Sequence, residues 1–315
     1  MKELNMDILL ANPRGFCAGV ERAIEIVERA LEIYGAPIYV RHEVVHNKFV
    51  VDDLRTKGAV FVEELDEVPD GATVIFCAHG VSKAVRAEAD RRGLRVFDAT
   101  CPLVTKVHSE VGRVREAGKE IVMIGHRGYP GGRGHHGTGL PGHALVENVE
   151  DVARLQVKDP NQLAYVTQTT LSVDDARTIV RRWRRVFRRS PGPGGTISAM
   201  PRRTARTRSS NWPASAISSS SWVPPNSSNS NRLREVAMNR GVKAYLVDGA
   251  DEIRPEWLSV KQHVGVTAGA SAPEVLVRQV VDRVTEMGAR SVIQLEGNPE
   301  HIVFPLPKEL QRNGE

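Results

Sequence analysis

Short apolar runs of strand length alternate along this chain with amphipathic stretches of helical length, and few folds are compatible with this alternation. Each apolar run ends in a loop of small and polar residues. The runs lie at 8–11, 73–76, 121–124, 164–166, 244–247 and 264–266. Strands that alternate with helices are typical of βαβ units, in which the strands are parallel. The sequence therefore predicts an α/β fold with mainly parallel sheets, and its 315 residues are enough for two or three domains.

Helical segments follow several of these loops. The segment 20–34 carries apolar residues at helical spacing and stops before a glycine, which commonly ends a helix. Ser172 with Asp175, and Ser271 with Glu274, resemble N-terminal capping boxes. These two signatures predict helices that begin at about residues 173 and 272.

Composition argues against membrane and disulfide-rich classes. No run approaches the roughly 18 to 20 apolar residues that a membrane span needs, and the N-terminal residues lack the layout of a signal peptide. We therefore expect a cytoplasmic protein that has no membrane partner. Three cysteines are too few for a disulfide framework, so they are candidates for metal ligands or for small buried residues.

Positive charge is concentrated in one segment. The chain carries a net charge of +5, and between Arg181 and Arg208 it has ten arginines and no acidic residue. Because this segment carries +10, the rest of the chain carries −5. Much of 181–208 is rich in Pro, Gly and Ser and has no periodicity, unlike a basic face laid over a folded element. A nucleic-acid-binding protein that uses this segment is an alternative, and it predicts steeply salt-dependent binding.

Several loops that follow predicted strands share a small, polar composition. In an open parallel sheet, such loops line the ligand crevice, and the next helix offers free N–H groups to anions. The pattern favours a small anionic ligand such as a diphosphate. For any single loop, the alternative is that Ser, Thr and Asn only cap helices. The loops are 77–82, 125–128, 167–170, 226–231 and 267–271.

Two cysteines stand just ahead of probable helices. Cys17 and Cys101 lie where unpaired N–H groups and the helix dipole stabilise a thiolate, which indicates ligands for a soft metal. Cys77 ends a strand, and we expect it to be a buried core residue. His46 and His79 also follow strands and could contact phosphate, relay protons or be structural. A zinc hydrolase that uses both cysteines and both histidines is a further alternative.

Long sequence words spread over nearly the whole chain resemble the 4-hydroxy-3-methylbut-2-enyl diphosphate reductases. They occur in the same order as in that family. The words are Ala-Asn-Pro-Arg-Gly-Phe-Cys-Ala-Gly-Val at 11–20, Arg-His-Glu-Val-Val-His-Asn at 41–47, Ala-His-Gly-Val-Ser at 78–82, Phe-Asp-Ala-Thr-Cys-Pro at 97–102, Thr-Gln-Thr-Thr-Leu-Ser at 167–172, Asn-Ser-Ser-Asn-Ser-Asn-Arg-Leu at 226–233 and Thr-Ala-Gly-Ala-Ser-Ala-Pro at 267–273.

The resemblance implies three similar α/β domains around a central iron–sulfur cluster of the 4Fe-4S type. The expected domains are 15–101, with Cys17, His46 and His79; 102–195, to which Cys101 and Thr169 are assigned; and 196–285. An N-terminal strand at 7–14 and a C-terminal tail at 286–315 would pack on this assembly. The implied activity is reductive dehydroxylation of 4-hydroxy-3-methylbut-2-enyl diphosphate to isopentenyl and dimethylallyl diphosphates, the last step of the non-mevalonate route to isoprenoid precursors. Flavodoxin or ferredoxin is the implied electron donor.

Site residues follow from the same resemblance. Cys17 and Cys101 would ligate the cluster, and Thr169 would lie near the substrate hydroxyl, with Thr170 beside it. Cys77 has no role in the family pattern. The diphosphate would be held by His46, His79, Ser227, Ser228, Asn229 and Ser271.

Two windows depart from the family pattern. After Gly128 the family has His-Pro-Glu-Val-Glu-Gly-Thr-Met-Gly, but here Tyr129 replaces a substrate-binding histidine and Gly131 replaces the glutamate that supplies a proton. Between 188 and 225 the family has Asp-Asp-Ile-Cys-Tyr-Ala and then an apolar strand. In this chain Ala199 replaces the third cluster cysteine. A relative that binds the diphosphate but is inactive is therefore another alternative.

A change of reading frame accounts for both departures. If synonymous codons are chosen freely, moving the reading frame by one base turns residues 131–137 into Glu-Val-Glu-Gly-Thr-Met-Gly. It likewise turns residues 196–201 into Asp-Asp-Ile-Cys-Tyr-Ala. The same shift turns 217–223 into Asp-Leu-Val-Leu-Val-Val-Gly, which is typical of a buried strand. Our hypothesis is that the sequence carries frame shifts near 131–143 and 188–225, and that the chain as written is impaired.

Overall fold

A computed structural model describes residues 6–125, 144–168, 171, 173–187, 215–219, 228–238, 241–258, 263–297 and 302–311. The strands are β1 (Met6–Leu10), β2 (Ile38–Arg41), β3 (Ala59–Val62), β4 (Thr73–Phe76), β5 (Arg95–Asp98), β6 (Glu120–Ile124), β7 (Ala144–Val146), β8 (Leu163–Thr167), β9 (Ser215–Ser219), β10 (Lys243–Val247), β11 (His263–Ala268) and β12 (Ala289–Gln294). The helices are α1 (Ala18–Tyr34), α2 (Lys48–Thr56), α3 (Lys83–Arg91), α4 (Pro102–Glu116), α5 (Val149–Arg154), α6 (Val173–Val186), α7 (Ser228–Met238) and α8 (Glu274–Glu286).

The strands form sheets of five, four and three strands. The five-stranded sheet has the order β10-β9-β11-β1-β12, and each of its pairs is parallel. The three-stranded sheet has the order β7-β6-β8, again with parallel pairs. In the four-stranded sheet, which also contains β2 and β3, β4 and β5 pair in parallel. The prediction of an α/β fold with parallel sheets is confirmed.

All six predicted strands form, as β1, β4, β6, β8, β10 and β11. The sequence reading missed others, among them β12 and β7, which lie at the ends of their sheets. An end strand has a neighbour on one side only, and most residues of β12 are exposed, so it lacks the apolar run by which buried strands were recognised. The first helix is confirmed as α1, and Gly35 follows it with a φ of +73°.

Two details of the sequence reading are wrong. The N-terminal strand ends at Leu10 rather than continuing to residue 14, because the chain turns into a loop from Ala11 onward. The helix predicted from about 272 begins at Glu274, and its N-cap Pro273 makes no side-chain capping bond. Proline offers no side-chain acceptor, and Glu274 instead pairs with an arginine of another loop. The capping box expected for Ser271 and Glu274 is therefore absent.

The chain divides into two compact units, 1–61 with 203–315, and 62–202. In the first unit, apolar side chains of β1 and β11 are buried together with those of α8. In the second unit, Trp183 of α6 is buried with Tyr165 of β8, their ring centroids 5.5 Å apart. The three predicted domains, 15–101, 102–195 and 196–285, stay a prediction. No helix within the described ranges is long and apolar enough to cross a membrane.

Candidate active site

Cys17 lies at the N-terminus of α1, as the sequence predicted. It is the N-cap residue, its thiol is not in a disulfide, and the residue is partly exposed. Its backbone N–H donates to the carbonyl oxygen of Ala270 at 3.1 Å, while its own carbonyl accepts from Val20 and Glu21. The N–H groups and dipole at a helix N-terminus stabilise a thiolate. Cys17 therefore has the local chemistry of a soft-metal ligand.

The Cys17 loop is held against the loop that follows β11. An Nη of Arg14 lies 2.6 Å from a carboxylate oxygen of Glu274, and its other Nη donates to the carbonyl of Ala11 at 2.9 Å. Gly15 has a φ of +76°, and a Cβ added there would lie 3.3 Å from the carbonyl oxygen of Ala272. A side chain at position 15 would therefore strain the backbone and crowd the neighbouring loop. This contact places the Ser271 loop beside the Cys17 loop.

His46 and Asn47 join a third loop to this arrangement. His46 Nδ1 lies 3.1 Å from a carboxylate oxygen of Glu43, which orients the imidazole ring. Asn47 is fully buried and is the N-cap of α2, where its Oδ1 accepts from the N–H of Val50. Its Nδ2 donates to the carbonyl oxygen of Ser271 at 2.5 Å. Sequence reasoning missed Asn47, although an asparagine just before a helical segment is a typical cap.

The backbone of Ser228 and Asn229 forms the start of α7. This helix follows β9, which pairs in parallel with β11. Because the carboxyl ends of parallel strands meet at one edge of a sheet, the end of β9 lies at the same edge as the end of β11, from which the Ser271 loop leaves. Ser227 lies outside the described residues.

In the second unit, the loops that carry His79 and Cys101 are adjacent. Cys101 is the N-cap of α4, and Pro102 begins the helix as the sequence predicted. The N–H of Cys101 donates to the carbonyl oxygen of Ala78 at 2.9 Å. His79 is therefore next to a residue that is hydrogen-bonded to Cys101. Like Cys17, Cys101 is a partly exposed thiol at a helix N-terminus, whereas Cys77 is buried as predicted.

A polar cluster supports these two loops. Asp98 accepts from the backbone N–H and the hydroxyl of Thr100, and an Nη of Arg86 lies 2.5 Å from its second oxygen. Burial raises the pKa of the Asp98 carboxyl, but hydrogen bonds from Thr100 and Arg86 outweigh burial, so the pKa is lower than usual. Gly80 has a φ of +83°, and a Cβ there would lie 3.3 Å from His108 Cε1 and from Thr100 Cγ2. The His79 loop therefore packs closely on this cluster.

His108 makes stability depend on pH. Burial, followed by the positive charge of Arg86, lowers the pKa of its imidazole below the usual 6.5, although Asp98 acts in the opposite direction. As pH falls below about 6.5, the imidazole of His108 takes up a proton in the unfolded chain before it does so in the folded chain. The free energy of unfolding therefore decreases. We expect the Tm of His108→Gln to fall less steeply than that of the wild type between about pH 7.5 and 5.5. Thermal unfolding at several pH values measures this, and equal slopes would contradict it.

Thr169 and Thr170 lie outside the described residues, as do Gly131 and Ala199. Among the residues that are described, no group of three or more His, Cys, Asp or Glu side chains could hold a metal ion. In the first unit the structure joins the loops of Cys17, His46 and Ser271, and in the second those of His79 and Cys101.

Comparisons with known proteins show which family this chain resembles. The family model described as LytB protein matches residues 8–285. A 4-hydroxy-3-methylbut-2-enyl diphosphate reductase of Azoarcus sp. (strain BH72) is 64% identical over 98% of both chains. The reductase of the same name from Bordetella pertussis is 59% identical over 97% of this chain and 94% of its own.

Two solved structures have the same fold. A Plasmodium falciparum structure, titled as E-1-hydroxy-2-methyl-but-2-enyl-4-diphosphate reductase, superposes with a TM-score of 0.86 at 34% identity, over 96% of both chains. A second, titled as (E)-4-hydroxy-3-methyl-but-2-enyl diphosphate reductase, the terminal enzyme of the non-mevalonate pathway, gives a TM-score of 0.60 at 28% identity, over 89% of this chain and 99% of its own. By the extent of these matches, the chain belongs to the LytB protein family.

Proposed function

We propose that this protein removes the allylic hydroxyl of 4-hydroxy-3-methylbut-2-enyl diphosphate by reduction and releases isopentenyl and dimethylallyl diphosphates. The C–O bond breaks, two electrons and two protons are taken up, and water leaves. The observation that carries the proposal is the identity of 64% over 98% of both chains to a relative with this activity in its name. The reaction needs a source of electrons, a proton donor and a clamp for the diphosphate.

Cys17 and Cys101 are the residues that would hold a 4Fe-4S cluster. Both are partly exposed thiols at the N-termini of long helices, which suits thiolate ligation, whereas buried Cys77 does not. When bound, the cluster would supply electrons and a Lewis-acidic iron for the substrate hydroxyl. In the family pattern the third ligand is a cysteine where this chain has Ala199.

The diphosphate would lie among loops at the carboxyl ends of parallel strands. Backbone N–H groups at helix N-termini and protonated imidazoles both attract phosphate oxygens. Glu43 would hold the imidazole ring of His46 in one orientation for this purpose. Thr169 and Thr170 would contact the hydroxyl end of the substrate. The proposed diphosphate ligands are His46, His79, Ser227, Ser228, Asn229 and Ser271.

The partners and the location also belong to this proposal. We propose that flavodoxin or ferredoxin supplies the electrons and that the protein works in the cytoplasm, with no nucleic-acid or membrane partner. Of the arginine-rich segment 181–208, the part up to 187 lies in the described residues, where Arg181, Arg184 and Arg185 are exposed on α6. Nucleic-acid binding that falls steeply with salt and is lost on deleting 181–208 would favour the alternative.

Inorganic pyrophosphate tests the diphosphate site without requiring turnover. A hydrogen bond to a charged group is worth about 1.5–3 kcal/mol, so we expect His46→Ala and Ser271→Ala to weaken pyrophosphate binding by about 10- to 100-fold. Isothermal titration calorimetry of the reconstituted protein measures the Kd. His263→Ala is the matched control, because His263 begins β11 whereas Ser271 follows its end. Unchanged affinity in both site variants would refute the proposed site.

A further inference from the structure

We infer that Asn47 is a positioning residue that locks two diphosphate-binding loops together. The inference rests on the proposed function, because it concerns the loops of His46 and Ser271. Asn47 is not among the site residues that the sequence predicts. Its side chain nevertheless makes one bond within its own loop and another to a loop more than two hundred residues away along the chain.

The geometry of Asn47 uses both ends of its amide. Oδ1 accepts from the N–H of Val50 at 3.3 Å and so caps α2. Nδ2 donates to the carbonyl oxygen of Ser271 at 2.5 Å, across a sequence separation of 224 residues. The residue has no exposed surface, so water does not compete for either bond. The amide therefore fixes the distance between the residue after His46 and the backbone of Ser271.

Capping alone does not account for this arrangement. A cap needs only an acceptor, which Asp or Ser provides as well as Asn does, and a cap can be solvent-exposed. Asn148, which caps α5 by accepting from the N–H of Asp151 at 2.9 Å, is such an exposed cap. At position 47 the residue must also donate, because it faces a carbonyl oxygen. Of the common capping side chains, only Asn has an acceptor and a donor on one short, planar group.

Fixing these loops prepares the site for its ligand. A diphosphate that must first order two separate loops pays for that ordering out of its binding energy, whereas a preorganised site does not. The Ser271 loop is also held by the Arg14–Glu274 ion pair. Asn47 extends this arrangement to the His46 loop. Its loss should therefore weaken diphosphate binding and leave the thiolate ligands unaffected.

Asn47→Asp is the sharpest test, since it keeps the cap acceptor and removes the donor. In a chain that carries the frame-restored residues, we expect the Kd for inorganic pyrophosphate to rise about tenfold, with no change in the visible absorbance of the reconstituted cluster. If the buried carboxylate of Asn47→Asp prevents folding, Asn47→Ser replaces it in the test. Its hydroxyl can cap α2 without adding a charge but is too short to reach Ser271, so we expect a similar rise in the Kd. Asn148→Asp is the matched control, because it makes the same chemical change at another cap, and its Kd should equal that of the wild type.

A second readout separates positioning from a merely structural role. Pyrophosphate that binds only the folded state raises the Tm, and at a fixed concentration the rise is larger when the affinity is higher. A structural role would lower the Tm without ligand and leave the ligand-induced rise unchanged. A positioning role reduces that rise in Asn47→Asp and Asn47→Ser.

The outcomes distinguish this inference from the proposed function. Wild-type Kd values in both Asn47 variants, with weakened binding in His46→Ala and Ser271→Ala, would overturn the inference and leave the proposed site standing. Wild-type Kd values in all four variants would overturn both. Weakened binding in all four, with an unchanged Asn148→Asp control, supports both.

Discussion

A chain that carries the frame-restored sequences at 131–137, 196–201 and 217–223 should turn over substrate about 10² to 10⁴ times faster than the chain as written. That range is what a general acid typically contributes, and the restored sequence has a glutamate where Gly131 stands. It also has a cysteine where Ala199 stands, so the proposed cluster gains its third thiolate. Single-turnover measurement of product formed from the diphosphate, under anaerobic conditions, checks the rate.

The position of β9 in the fold supports this prediction. β9 is Ser-Ala-Ile-Ser-Ser, and it lies between β10 and β11 in the five-stranded sheet. Its Ser218 is paired in register with Leu246 on one side and with Thr267 on the other. Interior strands of parallel sheets are usually continuous apolar runs, because helices cover both faces. The restored reading of 217–223 supplies such a run, overlapping the end of β9.

A peptide mass map of the protein expressed from its source gene decides whether the natural protein has the frame-restored residues. Peptides with Glu-Val-Glu-Gly-Thr and Asp-Asp-Ile-Cys-Tyr would show that the natural protein has the restored residues. Peptides that match 131–137 and 196–201 as written would mean a true variant. Gly131→Glu and Ala199→Cys, made singly and together in the chain as written, then separate proton donation from cluster retention.

Loss of one proposed cluster ligand should abolish activity. In the frame-restored chain, we expect Cys101→Ser to lose the brown iron–sulfur absorbance at about 400 nm, together with most of the bound iron. A serine hydroxyl is a much weaker ligand for iron than a thiolate. Visible spectra and iron analysis after anaerobic reconstitution measure the loss, and turnover should fall below detection.

Cys77→Ser is the matched control for that variant. Cys77 is 4% exposed at the end of β4, so serine there leaves a hydroxyl in a buried position at a cost of about 1–3 kcal/mol of stability. Cluster absorbance and iron content should nevertheless remain close to those of the unsubstituted chain. Full cluster content in Cys101→Ser, or its loss in Cys77→Ser, would reverse the assignment of the ligand.

Sequence pattern alone determined the elements that carry these residues. The apolar runs at 73–76 and 121–124 form β4 and most of β6, and the helical spacing of 20–34 lies within α1. The positions of Cys17 and Cys101 just ahead of helices were also read from the chain and are confirmed. Apolar periodicity reports which side of a local segment is buried, so it locates elements and the loops between them.

Tertiary structure alone decided how those loops meet. Asn47 bonds to Ser271 across 224 residues, and Arg14 pairs with Glu274 across 260. The neighbours of Glu274 in sequence predict a capping box, but its carboxylate pairs with an arginine from another loop instead. The apolar periodicity of a local segment carries no information about partners so far apart along the chain. They are set by strand order and register, which bring the β1 and β11 loops to one edge of a sheet.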